Sequence, residues 1–199
     1  MADSNITKRF LALTLKKLME TQSFEKISVS EICEVCGVSR KTFYYHFQDK
    51  YSLAEWIFNV EFIAVLEQSQ VNDRWSFISA ICEYFYKERT FYANLLEFDG
   101  QNSFRQYFQH FMFQSMEPML LPETQEIITA GNLGELVSDE TLDFFTHFIS
   151  DAILMSIFRW ITGAAKIPAD QFVTKLKEVE SLLIHAGRQR RCHRSASHT

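Results

Sequence analysis

The stretch at residues 29–50, VSEICEVCGVSRKTFYYHFQDK, limits what this chain can fold into more than any other. Within it Val29, Ile32, Cys33 and Cys36 fall at i, i+3, i+4 and i+7, so four small or medium apolar side chains share one helical face that must be buried. Ser28 stands before this face and Glu31 three positions on, the capping-box pattern in which two side chains satisfy free helix N–H groups reciprocally. Gly37 can take the left-handed conformation that ends a helix, and Ser39 is a good N-cap for the next one. Two short helices joined by a tight turn are predicted, with a third starting at Asp49 and Lys50.

The second of these helices, from Arg40 to about Phe47, has an unusual outer face. Phe43 and Phe47, at i and i+4, can anchor it to the first helix, which turns Arg40, Lys41, Thr42, Tyr44, Tyr45 and His46 outward. Two cations in a first turn oppose the helix macrodipole, so they serve something other than helix stability. A polyanion fits them. Arg and Lys can read guanine edges, while tyrosine, hydroxyl and imidazole groups hold phosphates. Lys50, beside the positive end of the following helix, is expected to clamp phosphate together with Tyr44.

Ser28–Val29, Ile32, Gly37–Val38–Ser39, Thr42–Phe43–Tyr44–Tyr45–His46–Phe47, and Lys50 with Leu53 closely resemble the N-terminal signature of TetR-type transcriptional regulators. The resemblance covers about a quarter of the chain. It departs from the family at Cys33 and Cys36, where alanine is usual. It implies a two-fold dimer on a palindromic double-stranded DNA operator, usually repressing until a small-molecule effector changes the spacing of the DNA-binding heads. The DNA-contact candidates are Ser28, Ser39, Arg40, Lys41, Thr42, Tyr44, Tyr45, His46 and Lys50. A second resemblance lies in 88–100 (ERTFYANLLEFDG), 101–104 and 160–172. These segments are similar to the branch that includes regulators of dihydroxyacetone kinase operons, which implies an activator switched by a protein co-regulator.

Charge is distributed as such a regulator needs. Residues 1–50 hold eight Lys and Arg against six Asp and Glu, residues 51–187 eight against nineteen, and residues 188–199 four against none. An acidic body would repel DNA and leave the basic head as the productive surface. The expected organisation is all-α: a three-helix helix-turn-helix DNA-binding head at 1–50, a helical ligand-binding and dimerisation body at 51–187, and a disordered basic tail at 188–199. With 47% apolar residues the chain can bury a proper core. The first residues lack a hydrophobic stretch, and four cysteines without framework spacing suit a reducing compartment, so a cytoplasmic protein with no membrane partner is expected.

Along the chain, helices are predicted over 7–22, over 50–71, from 75 to 96 with a break near Glu88, and over 103–116. Pro118, Pro122, Gly131 and Gly134 then punctuate a weaker region holding a short helix at 123–129. Further helices are expected from Ser138 or Asp139 to about Thr162 and from Pro168 onward. Residues 152–161 are apolar nearly all round, and Phe172, Leu176, Val179 and Leu183 form a stripe. Two such helices on each of two chains make a four-helix homodimer contact, for which Ile153, Ile157, Phe172, Leu176, Val179 and Leu183 are the candidates.

Nineteen Phe and three Trp can fill a core or line an effector cavity with the same residue types. Phe85, Phe108, Phe111, Phe148 and Trp160 are the ligand candidates. Cys33-x-x-Cys36 lacks the second ligand pair of a zinc site, and His110, His147 and His185 fall on separate predicted helices, so no metal and no cofactor are expected. No local nucleophile-and-base or paired-carboxylate motif is present, and an enzyme is not expected.

Overall fold

Short polar side chains set the helix starts. Ser28, Ser39, Asp49, Asp73 and Ser138 each accept a hydrogen bond from the backbone N–H three residues on, at 2.8–3.2 Å. At Asp49 and Asp73 a serine returns the contact and closes a capping box. The computed structural model describes the backbone of residues 2–69, 71–97, 103–130 and 138–195, and the side chains of 4–69, 71–97, 103–122, 124 and 138–182. These residues form α1 (Ala2–Met19), α2 (Val29–Cys36), α3 (Arg40–His46), α4 (Lys50–Gln68), α5 (Arg74–Lys87), α6 (Arg89–Glu97), α7 (Phe104–Ala130), α8 (Asp139–Thr162) and α9 (Ala169–Ser195). There is no strand among the described residues, and the fold is all-α as expected.

Between α2 and α3, Gly37 takes φ +73°, its N–H reaching Glu34 while the Val38 N–H returns to the Cys33 carbonyl at 3.0 Å. This is the Schellman ending, and it directs the chain straight into the Ser39 cap. The capping box expected at Ser28 is half made. Glu31 does not fold back; its carboxylate accepts from Gln22 Nε2 at 2.7 Å, so it ties α2 to the end of α1 instead.

Two expectations differ from the structure, the first for a long-range reason and the second for a local one. The predicted interruption at Pro118 and Pro122 is absent, and α7 runs through both. Phe108, Met112, Met116, Leu120 and Thr124 form a buried stripe at every fourth position, whereas both prolines lie on the exposed face. The carbonyls that lose a donor therefore face water, and packing on α8 holds the helix together across them. The segment from residue 188, expected as a disordered tail, continues α9 to Ser195. Its arginines and glutamine are strong helix formers, and one Gly187 costs about 1 kcal/mol, too little to stop a helix already under way.

A single helix, α4, joins the two ends of the core. Its first turns meet the N-terminal helices, with Tyr51 edge-on to Phe24 at 5.3 Å and Trp56 edge-on to Phe47 at 5.8 Å. Further along, Phe58 is fully buried and surrounded by Phe62, Tyr84, Phe85, Tyr92, Phe104, Tyr107, Phe108 and Phe111 at centroid distances of 5.0–6.2 Å. Most of these pairs are edge-to-face, the arrangement the ring quadrupole favours.

α9 is pinned along α5. The half-exposed Glu180 meets the buried Arg74 guanidinium at 2.6 Å, and Phe172 stacks on Trp160 at 4.5 Å. By length and composition α8 could cross a membrane, with a third of its most apolar window buried here. Its apolar character has two sources: one face fills the core through Ile153, Leu154, Ile157, Phe158 and Ile161, and another carries Phe144, Phe145, Phe148 and Met155 outward.

Candidate nucleic-acid interface

α3 is only seven residues long, and its placement depends on two rings. Phe43 is fully buried and Phe47 nearly so, with centroids 5.9 Å apart, and they fix the helix against the N-terminal core. The other face is left to solvent: Arg40, Lys41, Tyr44 and Tyr45 are exposed, while Thr42 and His46 are half-buried at its edges. Ser39 and Thr42 share a hydroxyl–hydroxyl contact of 2.8 Å at the helix start. Arg40 Nη2 donates to Tyr44 Oη at 3.4 Å, and the guanidinium lies over the Tyr44 ring. That hydrogen bond, with the nearby phenol, raises the guanidinium's proton affinity further. Arg40 is thus a fixed cation with donors still pointing to solvent, whereas among the described residues none fixes the exposed Lys41. Ser28, exposed at the start of α2, accepts from the Glu31 N–H.

Lys50 is the exception among the expected contacts. Its ammonium donates to the carbonyls of Phe24, Glu25 and Ile27 at 2.7, 2.9 and 2.8 Å. All three of its protons are used inside the protein, and the half-buried ammonium also lies over the Phe24 ring. Burial pushes its pKa down, while the Glu25 charge opposes that. The geometry makes Lys50 an internal tie that closes the connection between α1 and α2, and leaves it no proton for a phosphate.

Asn94 on α6 holds the same connection from the other side. Its Oδ1 accepts from the Phe24 N–H at 2.8 Å, and its Nδ2 donates to the carbonyls of Gln22 at 2.9 Å and Met19 at 3.5 Å. Nearby, Lys16 bridges Glu61 at 2.7 Å and Glu88 at 3.1 Å. Tyr84 donates to Glu61 at 2.7 Å and its oxygen lies 2.7 Å from that of Tyr92. Burial first, and then the neighbouring phenol and carboxylate, hold Tyr84 far above the usual phenol range, so it stays a protonated donor. Sequence reasoning missed this junction. Its signals are a polar Asn94 among Phe91, Tyr92, Leu95 and Leu96, and a Glu61 between apolar residues of α4.

The other candidates divide. Phe85 and Phe108 are fully buried 4.8 Å apart, with Phe111 beside them in the ring cluster. Trp160 sits apart from that cluster, between Tyr86 and Phe172, donating its Nε1–H to the Ile167 carbonyl. Phe148 is 57% exposed and lines no interior site, because it falls on the outer face of α8. Of the dimer candidates, Ile153, Ile157 and Phe172 are buried within their own chain. The helical period turns them inward, Phe172 onto Trp160 of α8. Leu176 is half-buried, Val179 is exposed, and the Leu183 side chain lies outside the described residues, as does that of His185. Cys33 is buried and Cys36 half-buried, and burial followed by the neighbouring Cys36 raises the Cys33 thiol.

Residues 14–57 match the pattern of bacterial regulatory proteins of the tetR family, and residues 73–180 that of a transcriptional regulator C-terminal region. A protein of Lactococcus lactis subsp. lactis (strain IL1403), named HTH-type dhaKLM operon transcriptional activator DhaS, is 28% identical over 121 residues. That match spans 60% of this chain and 62% of the relative, less than two thirds of its length. The solved structure of a dihydroxyacetone kinase operon activator DhaS superposes with a TM-score of 0.59 at 22% identity, covering 91% of this chain and 97% of that one. A TetR transcriptional regulator from Streptococcus agalactiae 2603V gives 0.61 at 19% identity, over 88% and 93%. At these identities the two structures establish a shared fold.

Proposed function

Since the chain belongs to the TetR family of bacterial transcriptional regulators, we propose that it binds a palindromic operator as a two-fold dimer and represses until a small-molecule effector releases it. The observation that carries the DNA contact is the outward face of α3, where Arg40, Lys41, Tyr44 and Tyr45 are exposed on a helix held by Phe43 and Phe47. Arg40 and Lys41 reach base edges from the first turn, while Ser28, Ser39, Thr42, Tyr44, Tyr45 and His46 hold the backbone. The dimer forms through Phe144, Phe145, Phe148 and Met155 of α8 with Val179 and Leu182 of α9, all exposed in the single chain. An effector would enter beside the Phe85, Phe108 and Phe111 rings.

Selection of duplexes from a random pool by the full-length protein tests this reading. A two-fold symmetric consensus is expected, with half-sites about 34–36 Å apart or a multiple of that. A single asymmetric half-site would overturn it.

A second reading is favoured by the likeness to DhaS, whose name makes it an activator of the dhaKLM operon. In that reading this chain activates transcription and a protein co-regulator works the switch. Transcription in vitro from a promoter carrying the selected operator separates the two by its sign.

A further inference from the structure

Cys33 and Cys36 stand three residues apart on α2, and the reading of α3 as the recognition helix calls for neither thiol. Both are free: Cys33 is buried at 4% exposure, and Cys36 is half-buried at the last residue of the helix. Burial raises the Cys33 thiol first and the Cys36 charge raises it second, while the Arg40 guanidinium opposes both. The two sulfurs and the guanidinium therefore lie within each other's field.

The spacing decides what such a pair can hold. Residues three apart on a helix keep their Cβ atoms about 5–6 Å apart, wider than the roughly 3.5–4.5 Å of a disulfide, so joining the sulfurs directly would unwind the last turn of α2. An ion between the sulfurs removes that demand, because two bonds near the ~2.3 Å of a metal thiolate bridge the gap with the helix as it stands. Zinc needs four ligands, and no group of three or more His, Cys, Asp and Glu able to hold a metal occurs among the described residues. Magnesium and calcium take oxygen donors, which a thiol pair does not offer. A soft monovalent ion is satisfied by two thiolates. We propose that Cys33 and Cys36 form a two-coordinate site for a soft thiophilic ion of the copper(I) class. Half-exposed Cys36 takes the ion first from the thiol or chelate that carries it, and Cys33 then displaces the carrier's second ligand. Each thiol gives its proton to water and the ion keeps its valence, so no oxidant or reductant is needed. Two thiolates and one monovalent ion leave one net negative charge in the field of Arg40. That charge competes with DNA for the guanidinium, a consequence that rests on reading Arg40 as an operator contact.

The probe is copper(I) alone. The reduced protein is titrated without oxygen against the chelator bicinchoninate, and the loaded form is read by X-ray absorption. One ion per chain is expected, ligated by sulfur only and two-coordinate. Cys33→Ala and Cys36→Ala should each lose it with helicity unchanged, since alanine is the best helix former and fits a packed face, whereas Cys192→Ser should keep it. Uptake that survives Cys36→Ala, a four-coordinate ion, or no uptake in competition with the chelator would overturn the site. Fluorescence anisotropy with duplex DNA then tests the consequence: one equivalent of copper(I) should weaken binding by the wild type at least about fivefold and leave Cys36→Ala unchanged. Equal affinity with and without bound copper would overturn the coupling to Arg40. A copper-free protein that binds no DNA would instead sink the operator reading, because ion uptake is measured without DNA.

Discussion

The Lys16 ammonium donates to both carboxylate oxygens of Glu61 at 2.7 Å, and Glu61 in turn accepts from the Tyr84 hydroxyl. Three helices, α1, α4 and α5, are thereby joined through one carboxylate. Each partner is only partly exposed, so the contact is screened less than a surface pair but more than a buried one. Lys16→Met should lower stability by about 1 kcal/mol, a fall of ~2–4 °C in Tm for a chain of this size. Added salt should narrow the gap between variant and wild type, which thermal melts at two ionic strengths would measure. A gap that does not respond to salt would mean the loss is one of packing over the Phe91 ring, which the ammonium also faces.

Lys50→Met separates an internal tie from a phosphate clamp. Removing three charged hydrogen bonds from the connection between α1 and α2 should destabilise the fold by ~1–3 kcal/mol, since each carbonyl loses its donor and only some can recruit water. The slope of log affinity against log salt for duplex DNA should stay as in the wild type. A slope flatter by roughly one unit would show that the ammonium leaves its carbonyls for a phosphate when DNA is present.

Arg40 and Lys41 differ in how they are held, and their substitutions should differ accordingly. Arg40 is braced by Tyr44, so Tyr44→Phe should weaken recognition at the same operator position as Arg40→Ala, and by less. Lys41→Ala should relax a different position. Each direct base contact is worth about 1–3 kcal/mol of discrimination. Titration against single-base operator variants reads this directly, and a uniform loss across all variants would show phosphate contacts only.

What could be read from the sequence was local. The Ser28 and Ser39 caps, Gly37 and the Phe43–Phe47 pair act within four residues of themselves, and the family signature lies in the same stretch. The break at Glu88 and the start of α8 follow from the same kind of signal. Lys50 could not be read this way, because its partners lie 23 to 26 residues upstream and are backbone carbonyls, which carry no sequence signal. Asn94 reaches 70 residues back to Phe24 for the same reason. Pro118 and Pro122 are strong local breakers, overridden by a buried stripe whose partner helix comes later in the chain. On α8 the difficulty was different. Periodicity reveals two apolar faces there, and only packing against α7 decides which one the chain itself buries.

That choice of face gives the dimer test. Ile157 is fully buried against its own chain, so Ile157→Ala should remove ~2–4 kcal/mol of stability as a core cavity does. It should leave the subunits associated at concentrations where they remain folded. Phe148 and Leu182 carry most of their surface to solvent, so Phe148→Glu and Leu182→Glu should leave the Tm of an isolated subunit nearly unchanged. In a two-fold contact each substitution occurs twice, which sets unpaired carboxylates into an apolar seam from both sides. Folded monomers are therefore expected. With one recognition helix per particle, those monomers should fail to fill a palindromic operator at concentrations where the wild type saturates it, yet still bind DNA non-specifically. Light scattering together with operator titration checks both halves. If Phe148→Glu and Leu182→Glu remain dimers while Ile157→Ala dissociates, the outer face of α8 and α9 is not the contact, and a rearranged α8 that turns Ile157 outward would have to replace it.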